Sequence, residues 1–124
     1  MCIRDSSYTG NALACSAALA TLGIFEQDQV LMRNQKTQGY INAQLANWGD
    51  MPIKHIRHQG MIWAFDVVTT VSKFQQDFYQ QALLQGLLLR PIGNTVYFMP
   101  PYVINESEIE FMLSTTKSLV LACA

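Results

Sequence analysis

Charge is scarce in this chain: 14% of its 124 residues are Asp, Glu, Lys or Arg, and the formal net charge is −1. Such a surface has no basic field to gather nucleic-acid phosphates and no lysine-rich face for anionic lipid, so neither nucleic acid nor membrane is expected as a partner. Cysteine is scarce too. The three present, Cys2, Cys15 and Cys123, are widely spaced, odd in number and in no C-x-x-C pair, which argues against a disulfide framework and a zinc site and suits a reducing cytoplasm. No apolar run approaches the roughly 20 residues that cross a bilayer, and the N-terminus lacks the charged-then-apolar build of a signal peptide. With no repeat and no proline-, glycine- or serine-rich linker, a single domain is expected.

What the chain does have is apolar weight, half of its residues, enough to close one core. From Asn11 to about Phe25, small apolar helix formers (Ala12, Leu13, Ala14, Ala17, Ala18, Leu19) predict a helix packed on several sides. Asp28 is placed to cap a second helix reaching about Ala46, with Ile41, Leu45 and Trp48 recurring at i, i+4 and i+7. Gly49 to Pro52 reads as a turn. Two strand-like runs, Ile53 to His58 and Met61 to Thr70, meet at Gln59-Gly60 as an antiparallel pair. Ser72 then caps a helix with Phe74, Phe78 and Ala82 on one stripe, and Gly86 closes it in the left-handed conformation. Leu87-Leu88-Leu89 reads as a buried strand, and Thr95 to Met99 as another after a turn at Arg90 to Asn94. Asn105 and Glu108 form a capping box for a last helix whose inner face is Ile109, Met112, Leu113, Thr116 and Val120. The order is helix, helix, strand, strand, helix, strand, strand, helix, and the fold class expected is α+β, with helices layered on a small mixed or antiparallel sheet.

Arg90 is the first candidate for chemistry. It follows three leucines and precedes a Pro-Ile-Gly turn, so its guanidinium stands at the rim of buried structure and needs a partner. A planar fork of donors matches a carboxylate by two parallel hydrogen bonds; a structural ion pair to Asp66 or Glu108 is the competing reading. Tyr97 alternates with Val96 and Phe98, so its ring is expected in the core with its hydroxyl alone available to a site. His55 and His58, at i, i+3 on a strand, are expected on opposite faces without acidic or cysteine company, which disfavours a metal. Neither Ser7 nor Cys15 sits in a G-x-S-x-G elbow, and no glycine motif for nucleotides occurs. Lys36, Lys54, Lys73 and Lys117 all fall among polar neighbours, so none reads as a desolvated amine ready to form a Schiff base.

Ser6-Ser7-Tyr8-Thr9-Gly10-Asn11-Ala12-Leu13-Ala14-Cys15, followed by an alanine-rich helix, resembles the segment that follows the catalytic lysine in class III pyridoxal-phosphate aminotransferases. Gly86 to Gly93, with Val96-Tyr97-Phe98-Met99-Pro100-Pro101-Tyr102, is similar to the end of their diaminopelargonate-forming members. The resemblance implies the C-terminal small domain of a fold-type-I enzyme, normally a homodimer, with pyridoxal 5'-phosphate as cofactor. It implies amino transfer from S-adenosylmethionine to 8-amino-7-oxononanoate, giving 7,8-diaminononanoate. By the same resemblance Ser7 meets the cofactor phosphate of the neighbouring subunit, Arg90 binds the carboxylate of the oxononanoate, and Tyr97 lines its pocket. Residues 6–25 would be a connecting helix and 26–124 the small domain. Met1 to Asp5 match what one frame of a common transposon-based sequencing adapter encodes and depart from the family pattern, so they are read as a scar, with the native chain expected to continue upstream of Ser6. The Schiff-base lysine would then lie outside this chain, which alone is expected not to transaminate. Another class III ω-amino-acid aminotransferase and a non-catalytic ligand-binding or assembly module are the alternatives.

Overall fold

A computed structural model describes residues 10–124. Four helices, α1 (Ala12–Gln27), α2 (Val30–Ala46), α3 (Phe74–Leu84) and α4 (Glu106–Cys123), accompany three strands, β1 (Ile53–Gln59), β2 (Ile62–Val67) and β3 (Thr95–Phe98). The strands form one antiparallel sheet in the order β1-β2-β3. This is the expected α+β class.

Alternation along the strands divides the sheet into a dry face and a wetter one. Trp63, Phe65 and Val67 of β2 and Val96 and Phe98 of β3 are buried, and the register places Trp63 beside Phe98 and Phe65 beside Val96. Helices cover that face. Phe74, Phe78 and Ala82 of α3, Ile41 and Leu45 of α2, and Ile109, Met112, Leu113, Leu119 and Val120 of α4 complete one core. The opposite face carries Ala64 beside Tyr97 and Asp66 beside Thr95, all only partly buried.

Local chemistry sets the element ends. Asn105 accepts a hydrogen bond from the Glu108 backbone N–H at 3.0 Å while its own N–H donates to Glu108 Oε2 at 2.9 Å, the expected capping box at the start of α4. Gly86 follows α3 with φ +78°, the left-handed position expected of it. Gly60, at φ +54°, opens the two-residue loop between the paired Gln59 and Ile62, where a positive φ suits a tight hairpin.

Several expectations are corrected. No residue of α1 is buried; Leu13, Leu19 and Leu22 are exposed, because nothing among the described residues packs along its length, and Phe25 makes an edge-to-face contact with Tyr102 at 6.1 Å. Asp28 ends α1 instead of starting α2, and Gln29, at φ +47°, precedes α2 without a side-chain cap. Lys73, not Ser72, occupies the start of α3. Leu87 to Leu89 form no strand: Leu89 is buried but Leu88 is exposed, so three leucines in a row anchor an irregular connection through alternate contacts. The second strand stops at Val67, whose N–H donates to the Asn94 carbonyl at 2.8 Å.

Candidate functional site

Arg90 sits on that irregular connection between two anchors, Leu89 and Pro91, both buried. The backbone is thereby pinned on either side while the side chain remains exposed. Tyr97 lies on the sheet face away from the core, so the reading of its ring as a core element is corrected by the register. The two residues border one cleft. Leu88, Leu89, Arg90, Tyr97 and Met99 line one open cleft of about 430 Å³, apolar along its walls, with one cation and one phenol.

The competing reading, an ion pair from Arg90 to Asp66 or Glu108, is not realised. Glu108 is engaged in its capping box, and Asp66 accepts from His55 Nδ1 at 2.9 Å, Thr95 Oγ1 at 2.8 Å and Arg57 at 3.2 Å. Among the described residues Arg90 has no salt bridge. Its guanidinium lies instead over the ring of Tyr79 on α3, 5.5 Å from the centroid. The fork of donors is therefore not consumed by an internal acid, which is what an external carboxylate requires.

The Asp66 cluster was not foreseen. β1 bulges between Lys54 and Arg57, with His55 at φ +53°, and this turns the His55 ring toward Asp66 while Arg57 also donates to the His55 carbonyl at 2.8 Å. The hydrogen bonds from His55 and Thr95, with Arg57 adding to them, hold the Asp66 carboxyl down at about 2, against a usual value near 4. Three donors on one carboxylate of the central strand, two from β1 and one from β3, brace the sheet across its width. The expectation that His55 has no acidic company is thereby corrected: the bulge breaks the strand's alternation and brings its ring to Asp66.

His58 turns elsewhere, 3.2 Å from Asn42 Nδ2, and Asn42 in turn accepts from the Trp63 indole at 2.7 Å. Among the described residues no cluster of three metal-ligating side chains occurs, and no helix is long and apolar enough to cross a membrane. Lys36, Lys54, Lys73 and Lys117 are all exposed, so no desolvated amine is present at which a carbonyl cofactor could be held. Ser7 lies outside the described residues. The described residues thus do not by themselves form a pyridoxal-phosphate site.

Comparison with known proteins decides the family. The model of the class III aminotransferases matches residues 4–120. The chain belongs to the class III aminotransferase family. Its aminotransferase sequence is 40% identical over 114 residues to the adenosylmethionine-8-amino-7-oxononanoate aminotransferase of Helicobacter pylori, covering 87% of this chain and 26% of that protein. It is 34% identical over 108 residues to the acetylornithine aminotransferase of a Synechocystis species, covering 84% and 25% of the two. The fold superposes on the adenosylmethionine-8-amino-7-oxononanoate aminotransferase of Methanocaldococcus jannaschii with a TM-score of 0.85 and 27% identity, over 98% of this chain and 30% of that one. This aminotransferase chain spans about a quarter of the length of the curated relatives it matches.

Proposed function

We propose that residues 6–124 are the C-terminal portion of a longer, pyridoxal-phosphate-dependent aminotransferase that converts 8-amino-7-oxononanoate to 7,8-diaminononanoate with S-adenosylmethionine as amino donor, a step of biotin biosynthesis. The parent enzyme is a cytoplasmic homodimer, and the small-domain cleft of this chain receives the carboxylate end of the keto acid. The observation that carries this reading is the cleft itself: an arginine without an internal acid partner and a tyrosine line it together with Leu88, Leu89 and Met99, a fit for a short acyl chain ending in a carboxylate. The recurrence of one enzyme name among the relatives supports the choice of substrate.

In this arrangement Arg90 binds and orients the carboxylate through its planar fork. Tyr97 borders the same end of the substrate and places its hydroxyl where it can add a hydrogen bond. Leu88, Leu89 and Met99 offer apolar surface against which the methylene chain lies. Ser7 supplies a hydroxyl to the cofactor phosphate across the subunit boundary, and the amine that holds the cofactor is contributed by sequence beyond this chain.

The full-length protein, supplied with S-adenosylmethionine and 8-amino-7-oxononanoate, is expected to form 7,8-diaminononanoate, read by mass spectrometry. The similarity to an acetylornithine aminotransferase defines the second reading. Amino transfer from an ω-amine to 2-oxoglutarate, with no product from S-adenosylmethionine, would replace the substrate assignment and leave the family in place.

A further inference from the structure

We infer that Tyr79 is a positioning residue for Arg90: its ring face fixes the guanidinium beside the cleft that Arg90 lines, and fixes it without neutralising it. This rests on the reading of Arg90 as the carboxylate anchor. A cation on an exposed, flexible stem samples many rotamers, and fixing it before substrate arrives reduces the entropy lost on binding. An internal Asp or Glu would fix it too, but would occupy the fork and cancel the charge the substrate needs. An aromatic ring does neither, because it presents a negative π face and no lone pairs.

The local structure supports the assignment. Tyr79 follows Phe78 on α3, and Phe78 lies on the fully buried stripe with Phe74 and Ala82, so Tyr79 stands on the flank of that stripe, half-buried, on a helix fixed by the core. Arg90 is pinned by its buried neighbours Leu89 and Pro91. Ring and cation therefore approach from two anchored backbones to 5.5 Å, within the roughly 6 Å over which the attraction acts. The acids that could have competed, Asp66 and Glu108, are committed elsewhere.

The test uses the full-length, cofactor-loaded enzyme with Tyr79→Leu, Tyr79→Phe and Arg90→Ala, assayed with 8-amino-7-oxononanoate and with its methyl ester. Tyr79→Leu is expected to raise KM for the acid about two- to fivefold, with kcat moving less and KM for the ester unchanged; Tyr79→Phe, which keeps the ring face, restores the KM. If Tyr79→Leu does not yield folded enzyme, Tyr79→Gln replaces it, with the same expectation. An unchanged KM for the acid, or an equal rise for acid and ester, overturns the role of Tyr79 while Arg90→Ala still selectively raises KM for the acid. If Arg90→Ala has no selective effect, the carboxylate-anchor reading fails first, and the role of Tyr79 with it.

Discussion

At the scale of single residues, one side chain's commitments decide what another is free to do. Asp66 accepts from His55, Thr95 and Arg57, whereas Arg90 has no acid partner among the described residues. Asp66 also carries a pH signature. Its folded value, about 2, lies below the ordinary carboxylate value of about 4, so its contribution to stability is fully present above that ordinary value and is lost as pH falls toward 2. Acid unfolding of the full-length protein, followed by circular dichroism, should therefore lose part of its slope between about pH 4 and pH 2 in Asp66→Asn; an identical slope would show the brace to be energetically idle. Arg90 stood out as a candidate in the sequence by its place between a leucine run and a proline turn, and Tyr97 by its strand alternation and by the family resemblance. Tyr79 did not, since a tyrosine on a helix flank has no local pattern that says which cation will settle on it. The partner of His55 was equally hidden, because a bulge breaks the period-two alternation from which faces are read.

At the scale of elements, the helices with an apolar stripe were readable and the connections were not. α4 declares both ends of its logic in sequence: Asn105 and Glu108 close the capping box, and each residue assigned to its inner face is buried. Replacing Asn105 with Ala leaves the first-turn N–H groups without that acceptor and should cost about 1 kcal/mol, measured by denaturant unfolding. Core strands should respond more steeply. Phe98 is fully buried against Phe65, with ring centroids 5.8 Å apart, and Phe98→Ala should cost roughly 3–5 kcal/mol by lost transfer energy and the cavity left behind. α1 and the Leu87 to Leu89 run were misread for a common reason. Apolar composition says that a surface is to be covered, without saying by what or in which conformation, so α1 stands exposed and the triple leucine is an irregular anchor instead of a strand.

At the scale of the molecule, a buried sheet face and three covering helices form the core, while α1 leaves Leu13, Leu19, Leu22 and Ile24 exposed. A run of exposed apolar side chains along one helix favours association. The isolated chain should self-associate, seen by light scattering as particles above its 14.0 kDa mass, and should show no amino transfer, having no suitable lysine among its described residues. The fold class and the family followed from sequence because they rest on stripes and motifs within the chain; the irregular connection that carries Arg90 did not, because apolar composition alone does not set its conformation. On the proposed reading the cleft of Arg90 and Tyr97 holds a substrate carboxylate. The measurement that bears on it most directly is steady-state kinetics of Arg90→Ala in the full-length enzyme. Loss of a charge-assisted hydrogen bond should raise KM for 8-amino-7-oxononanoate by roughly ten- to a hundredfold, with KM for the amino donor near the unmutated value; an unchanged KM for the keto acid, or an equal rise for both substrates, would contradict it.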